Sequence, residues 1–169
     1  MIISNSSPLI YLSKLDRLYL LKDLFKKILI PNEVYDEVVV VGKQKNFYDS
    51  LKIENAIREG WIVIKEVNGF KELEMFSSEI DLGELAVIKL AKKENPELIL
   101  IDDASARVIA ESFGFKVRGT IYVLLSAYKR KLIKKTEIKD LIDNLVLTGF
   151  RISQEFYIQI MKLLEDYKS

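Results

Sequence analysis

Residues 98–103 read Leu-Ile-Leu-Ile-Asp-Asp, and this short stretch decides the fold. The run from Leu98 to Ile101 is uniformly apolar, which is typical of a parallel strand that helices cover on both faces. Asp102 and Asp103 end the strand and precede a helical pattern that runs up to Gly114. One of the two aspartates is expected to cap that helix, which leaves the other carboxylate free for a different role.

Strand and helix patterns alternate on both sides of this stretch. Short apolar runs predict four further strands, at residues 1–3, 27–30, 61–64 and 115–117. Ser7 is expected to cap the first helix, with Pro8 at its first position. The alternation predicts an α/β fold: a three-layer α/β/α sandwich with a mostly parallel sheet of about five strands, plus C-terminal helices.

The length of 169 residues suits a single domain, and 49% hydrophobic residues can build its core. We assign residues 1–133 to the sandwich and residues 134–169 to a helical pair packed on the same domain. No stretch reaches the roughly 18 apolar residues of a membrane span. We therefore predict no membrane association and a cytoplasmic location.

The sequence contains no cysteine and no histidine. This composition excludes disulfides, thiolate nucleophiles, Ser-His-Asp triads and Cys- or His-ligated zinc. A metal would be held mainly by oxygen, which favours hard cations such as Mg²⁺ or Mn²⁺. The formal net charge is only +1, so contact with nucleic acid would need a local patch of positive charge.

Acidic and amide side chains follow or flank several predicted strands, where α/β sheets bind their ligands. Asn5 follows the first strand, and Asp102 and Asp103 follow the fourth. Glu37 lies in the helix after the second strand, and Glu84 lies at the start of the helix before the fourth. If these residues converge, their mutual repulsion calls for a neutralising cation, and a divalent metal is the natural one.

Each of these residues also has a structural interpretation. Asp81 and Glu84 fit a capping box at the start of one helix. Asn5 fits a turn, and Glu37 taken alone fits a solvated helix position. The sequence leaves both interpretations open for each residue, and only their joint placement indicates a site.

Five segments together resemble the PIN-domain family, in a VapC-like prokaryotic branch of nucleic-acid-binding proteins. They follow one another in the order of that branch's motifs: Ser4-Asn5-Ser6-Ser7-Pro8-Leu9-Ile10, Pro31-x-x-Val34-x-x-Glu37, Gly83-Glu84-Leu85-Ala86-Val87-Ile88, Leu100-Ile101-Asp102-Asp103-x-x-Ala106-Arg107 and Val117-x-Gly119-Thr120. The resemblance covers residues 1–133 and implies a Mg²⁺- or Mn²⁺-dependent ribonuclease that acts on RNA. It also implies a homodimer, which the apolar helices around Gly42 and Leu51 favour, and a toxin paired with a small antitoxin protein.

Carried over residue by residue, the resemblance implies a metal site formed by Asn5, Glu37, Glu84, Asp102 and Asp103, of which the four carboxylates are catalytic. It implies that the hydroxyls of Ser7 and Thr120 support this site. The family usually has Asp where this chain has Asn5. The first alternative is therefore a nucleic-acid-binding PIN-like protein with weak or no nuclease activity. A second is a protein–protein module whose acidic patch meets a basic partner.

Two clusters of basic residues are candidates for contact with phosphate. One comprises Lys129, Arg130, Lys131, Lys134 and Lys135, and the other Lys22, Lys26 and Lys27. Lysines and arginines near helix ends are also commonly solvated, because they suit the helix dipole. The sequence does not decide between these two interpretations.

Overall fold

A computed structural model describes residues 1–166, in which five strands form one sheet. The strands are β1 (Ile2–Ser4), β2 (Ile28–Pro31), β3 (Ile62–Lys65), β4 (Leu98–Leu100) and β5 (Val117–Arg118). Their order across the sheet is β3-β2-β1-β4-β5, and every pairing is parallel. The predicted α/β fold with a five-stranded parallel sheet is confirmed.

Helical segments connect the strands and follow the last one. They are α1 (Ser6–Lys14), α2 (Tyr19–Phe25), α3 (Asn32–Tyr35), α4 (Gly42–Gln44), α5 (Tyr48–Arg58), α6 (Leu82–Glu94), α7 (Ala104–Ser112), α8 (Thr120–Lys129), α9 (Lys135–Leu147) and α10 (Gln154–Asp166). A π-helical segment, Asp36–Val41, joins α3 to α4, and a 3₁₀ helix, Lys71–Phe76, precedes α6.

The helices form two layers around the sheet. In one layer α1 contacts α5 and α8, and α2 contacts α8 and β2. In the other layer α6 contacts α7, β1 and β2. Both faces of the central strands are therefore covered, and Ile3, Ile28 and Ile99 have no exposed surface. This burial explains why these strands are uniformly apolar.

The C-terminal helices share the hydrophobic core of the sandwich. Helix α9 packs on α8, and α10 packs on α9. Buried residues of both helices belong to the same apolar cluster as the sheet, among them Ile142 of α9 and Ile160 of α10. The division between residues 133 and 134 stays a prediction. In residues 1–166 no helix is long and apolar enough to cross a membrane.

The first helix begins at Ser6, two residues earlier than the predicted cap at Ser7 and start at Pro8 would place it. The cap is Asn5, whose side-chain oxygen accepts a hydrogen bond from the Ser7 backbone N–H at 3.2 Å. The predicted cap at Ser7 is therefore wrong. Pro8 lies inside the first helical turn, where its missing N–H is harmless because that turn's N–H groups lack intrahelical partners.

Gly42 lies within a continuous helical segment. It is buried and continues the helical path from Val41 into α4. A Cβ atom at Gly42 would lie 2.8 Å from the Cβ of Ser50 in α5. The glycine is therefore explained by the close approach of two helices rather than by a turn.

Candidate active site

The order of the strands reverses between β1 and β4, and α/β sheets bind ligands at such a point. The chain runs from β1 to β2 and β3 in one direction, and from β4 to β5 in the other. At the carboxyl ends of the two central strands, the Asn5 backbone N–H donates to the Leu100 carbonyl at 3.0 Å. This hydrogen bond brings Asn5 close to the segment that carries Asp102.

A pocket of about 260 Å³ opens at this edge, and we call it the acidic pocket. Three carboxylates line it, those of Glu84, Asp102 and Asp103. The other residues of its wall are Ser7, Tyr11, Gly149, Phe150 and Arg151. Helix α6, the segment after β4 and the connection between α9 and α10 therefore meet at one place.

Asp102 is held on both of its carboxylate oxygens by Thr120, the first residue of α8. The Thr120 backbone N–H donates to Oδ1 at 2.7 Å, and its hydroxyl donates to Oδ2 at 2.6 Å. Burial raises the pKa of Asp102, although the bonds from Thr120 and the charge of Arg107 act in the opposite direction. Thr120 therefore contacts Asp102 directly, and its supporting role in the site stays a prediction.

Asp103 caps α7 through Oδ1, which accepts from the Ala106 N–H at 2.9 Å. The prediction that one of the two aspartates caps this helix is confirmed, and Asp102 is the one left for another role. Asp103 is exposed to solvent. Since a carboxylate has two oxygens, the second oxygen of Asp103 is available to the acidic pocket.

Glu84 begins α6 as part of a capping box with Asp81. Its backbone N–H donates to Asp81 Oδ1 at 2.8 Å, and its carboxylate accepts from the Asp81 N–H at 3.1 Å. The structural interpretation of this pair is therefore correct, yet Glu84 also lines the acidic pocket. Burial raises the pKa of Glu84 to about 7, and the charges of Asp81, Asp103 and Glu37 add to the rise.

Glu37 lies on the other side of Glu84 and outside the acidic pocket. It accepts a hydrogen bond from the hydroxyl of Ser6, and a Cβ atom at Gly83 would lie 3.4 Å from its Oε2. It is exposed in a second cavity, which Asp36 and Asp81 also line. Glu84 is thus the residue that connects Glu37 electrostatically with the other carboxylates.

Asn5 is buried, with 3% of its surface exposed, and its side chain caps α1. The residue whose N–H it accepts, Ser7, lines the acidic pocket. An amide oxygen has two lone pairs, so one remains for a further partner. The structure therefore supports a capping role for Asn5 and places it next to the site, without a direct contact to the carboxylates.

The donor chemistry fits a hard divalent cation, although no ready-made cage exists. Within residues 1–166, no three or more acidic side chains are arranged so that they could hold a metal ion by themselves. Mg²⁺, however, is usually bound through one or two carboxylates and keeps several waters. Glu84, Asp102 and Asp103 supply such oxygens, and burial raises the pKa of Glu84 and of Asp102.

Sequence reasoning missed several residues of the site. Ser6, rather than Ser7, contacts Glu37. Tyr11 faces the site as well: burial and the charge of Asp102 raise its pKa, and the charge of Arg151 lowers it. Tyr11 follows Ser7 by four residues in α1, and this helical spacing was a usable signal. Nothing local to Arg151 indicates that it reaches this pocket.

Both predicted basic clusters lie away from the acidic pocket. Lys26 and Lys27 directly precede β2, at the amino edge of the sheet. Arg130 follows the C-terminal end of α8 and donates to the Leu24 carbonyl at 3.2 Å, which joins the second cluster to the first. Lys22 pairs with a carboxylate on α5's C-cap residue at 3.1 Å. We call the basic residues of the two clusters together the amino-edge cluster: Lys22, Lys26, Lys27, Lys129, Arg130, Lys131, Lys134 and Lys135.

Comparison with known proteins identifies one family. A sequence profile described as PIN domain matches residues 1–166. No curated protein and no solved structure matches the chain. The profile spans both the sandwich and the C-terminal helices, and it agrees with the parallel sheet whose carboxyl edge carries the acidic pocket. The chain therefore belongs to the PIN-domain family.

Proposed function

We propose that this protein is a metal-dependent ribonuclease that hydrolyses RNA phosphodiester bonds. The observation that carries the proposal is that Glu84, Asp102 and Asp103 line one pocket at the point where the strand order reverses. Membership of the PIN-domain family supports a nuclease-like function. A structural role alone does not explain why two of these carboxylates are withdrawn from solvent, since buried charge is costly.

Mg²⁺ or Mn²⁺ is the proposed cofactor, held through water and one or two carboxylates among Glu84, Asp102 and Asp103, with Asn5 and Glu37 as auxiliary oxygen ligands. When bound, such a cation activates water and offsets the charge that develops on the phosphate. The proposal needs neither histidine nor cysteine, and the chain has neither.

The chain's own residues orient the site and handle protons. Thr120 fixes both oxygens of Asp102, so this carboxylate cannot rotate without breaking two hydrogen bonds. Burial raises the pKa of Glu84 to about 7 in the metal-free protein, so this carboxyl would release a proton when a divalent cation binds it. Asp103 is tied at one oxygen only, and Ser7 contributes a hydroxyl to the wall.

The alternative, a nucleic-acid-binding protein with weak or no cleavage, is favoured by one observation. Asn5 is neutral and already caps α1, so it adds no negative charge to the site. Both proposals share an RNA partner and a cytoplasmic location, and a toxin–antitoxin pair with a small antitoxin protein is compatible with either. A protein–protein module is the third candidate, and it predicts no RNA binding.

The test compares Mn²⁺-induced stabilisation and RNA cleavage in matched variants. A ligand that binds only the folded state raises the melting temperature, so Mn²⁺ should stabilise the wild-type protein. Asp102→Asn and Glu84→Gln should lose this increment and reduce cleavage by at least about a hundredfold. The controls are Asp140→Asn and Glu111→Gln, both exposed and outside the site.

Three outcomes separate the candidates. An equal response to Mn²⁺ in the wild type, the site variants and the controls would rule out the metal site. RNA binding and metal binding without turnover would support the weak-nuclease alternative. Neither RNA binding nor a metal response would favour the protein–protein module.

We also propose a homodimer formed through the helices between β2 and β3. Apolar side chains remain exposed there, with Phe47 52%, Tyr48 71% and Leu51 46% exposed. Exposed apolar patches of this kind commonly mark protein contacts. Light scattering at micromolar concentration should give the mass of two chains, and a monomeric mass would contradict the proposal.

A further inference from the structure

Another cavity, of about 390 Å³, adjoins the acidic pocket and shares Asp102 with it. It is separate from the cavity that Glu37 lines. We call it the arginine cavity, because three arginines from three separate parts of the chain line it. Arg107 comes from α7, Arg118 from β5, and Arg151 from the connection between α9 and α10. Arg151 lines both cavities.

None of the three guanidinium groups is bonded to a carboxylate in the described residues, although the charge of Arg107 acts on the nearby Asp102 and opposes the rise of its pKa. Several other basic side chains form ion pairs, such as Arg17 with Glu137 at 3.3 Å. Among residues 1–166, no ion pair involves Arg107, Arg118 or Arg151. Guanidinium groups that share a wall repel one another, and an anion between them would relieve this repulsion. The planar guanidinium group of arginine can also donate two parallel hydrogen bonds to a pair of phosphate oxygens.

Three aromatic rings line the cavity beside the aliphatic side chains of Ile121, Leu125 and Ile152. Tyr122 lies beneath the Arg118 guanidinium, 5.7 Å from charge centre to ring centroid. Phe150 packs edge-to-face on Tyr11 with ring centroids 5.1 Å apart, so its position is fixed. Phe156 of α10 is 46% exposed at the cavity wall. Bases of single-stranded nucleic acids stack on such rings.

We propose that the arginine cavity binds one nucleotide of single-stranded RNA, directly beside the phosphodiester that lies at the acidic pocket. The phosphate contacts the three arginines, and the base contacts the aromatic wall. The volume falls in the range of about 300–1,000 Å³ that is typical of small-ligand sites. This inference rests on the proposed ribonuclease function and names the part of the chain that positions its substrate.

The combination of features favours a nucleotide over an acidic peptide. A peptide carboxylate would satisfy the arginines, yet it would leave the aromatic wall without a matching group. Phosphate and base together use both kinds of wall. Because Asp102 lines both cavities, a nucleotide in the arginine cavity would lie directly beside the proposed reaction centre.

The experiment measures binding of a short fluorescent single-stranded RNA without divalent metal, over a series of salt concentrations. Arg118→Gln and Arg151→Gln should each weaken binding by about tenfold. Each should also reduce the steepness of the salt dependence by about 0.7, the value for one lost phosphate contact on a single strand. The matched control is Arg58→Gln, an exposed arginine of α5 whose partner is Glu54, and it should change affinity less than about twofold.

Phe156→Leu separates stacking from charge. It should weaken binding by about fivefold and leave the salt dependence unchanged, since no phosphate contact is lost. Melting temperatures of all variants establish that they fold. In cleavage assays with Mn²⁺, the arginine variants should raise KM more than they lower kcat, because they act on binding.

The outcomes distinguish this inference from the proposed function. RNA binding and cleavage that match the Arg58→Gln control in all variants would overturn the arginine cavity and leave the ribonuclease intact. Arginine-dependent binding without any cleavage would support the cavity and contradict the nuclease. If a glutamate-rich peptide displaces RNA in an arginine-dependent way and Phe156→Leu has no effect, the cavity binds an acidic protein and the inference is wrong.

Discussion

The acidic pocket at the carboxyl edge of the sheet and the amino-edge cluster differ both in the sign of their charges and in their exposure to solvent. At the carboxyl edge, Glu84 is buried and Asp102 is half-buried, and burial raises the pKa of both. At the amino edge, Lys26 and Lys131 are exposed to solvent. The sequence has nearly equal numbers of basic and acidic residues, 26 and 25, so its net charge conceals this separation.

The difference shows which charges point to function. An exposed lysine keeps its hydration and costs the fold little, so its presence needs no further explanation. A buried carboxylate without a compensating cation lowers stability, and such groups cluster at functional sites. The carboxyl edge is therefore the better candidate for chemistry, although the amino edge has the denser run of charge along the sequence.

The largest effect should follow from Gly119→Ala, which disturbs the carboxyl edge by packing alone. A Cβ atom at Gly119 would overlap Oδ1 of Asp102 and lie 3.3 Å from Nη1 of Arg107. The free energy of unfolding should fall by about 3 kcal/mol, and cleavage should be lost with the position of Asp102. Urea denaturation measures the first effect, and an RNA cleavage assay measures the second.

Gly83→Ala is the matched control, because its nearest neighbours would lie 3.4 Å from the new Cβ, an ordinary contact distance. It should change stability by less than about 1 kcal/mol. If both variants behave alike, the close packing of Gly119 on Asp102 does not position the site.

The second-largest effect is the pH dependence of the free energy of unfolding that Glu84 causes at the carboxyl edge. Between the ordinary pKa of 4.5 and the folded pKa of about 7, the folded protein keeps a proton that the unfolded chain has released. The free energy of unfolding should therefore fall as pH rises through this window, by up to about 3 kcal/mol for this group. Glu84→Gln retains the capping arrangement but cannot titrate, so this part of the pH dependence should disappear.

Urea denaturation without metal at a series of pH values measures this difference. Glu111→Gln is the control, since that exposed residue lies outside the site, and its curve should run parallel to the wild type. A Glu84→Gln curve that is also parallel to the wild type would show that Glu84 titrates normally in the folded protein.

The third effect concerns Asn5, the neutral residue at the carboxyl edge. Asn5→Asp keeps a good helix cap and adds a charge beside the acidic pocket. It should tighten Mn²⁺ binding by about tenfold, increase cleavage of single-stranded RNA, and lower stability without metal. Asn5→Ala should bind Mn²⁺ more weakly than the wild type.

Because the alanine variant also loses the cap, Asn5→Ser serves as a control that retains it. Calorimetric titration with Mn²⁺ compares the four proteins at fixed pH and salt. Equal affinities across the series would mean that Asn5 is only a cap and that its placement in the site is wrong.

The smallest effect is expected at the amino edge. Lys26→Gln and Lys131→Gln should each change affinity for single-stranded RNA by less than about twofold, since neither residue lies near the acidic pocket. The measurement is the same salt series used for Arg118→Gln, which removes the same charge from the arginine cavity. Losses equal to that of Arg118→Gln would break the comparison and make the amino-edge cluster part of the RNA surface.

Local patterns in the sequence determined much of this protein. Uniform apolar runs such as Leu98 to Leu100 predicted buried parallel strands, because a strand covered on both faces has no polar side. The Asp102-Asp103 pair predicted one cap and one free carboxylate, because a helix N-terminus uses one such side chain. These inferences hold because strands, helices and caps depend on neighbours within a few residues.

Only the tertiary structure decided which charges meet and which are withdrawn from water. The sequence showed no link between Arg151 and Asp102, which meet because the C-terminal helices pack on the sandwich. It also showed none between Arg130 and Leu24, which meet because α8 packs on α2. It also gave no indication that the Ser6 hydroxyl donates a hydrogen bond to Glu37. Burial and electrostatic coupling depend on residues far apart in the chain, so the raised pKa of Glu84 and the arginine cavity emerge only when the fold closes.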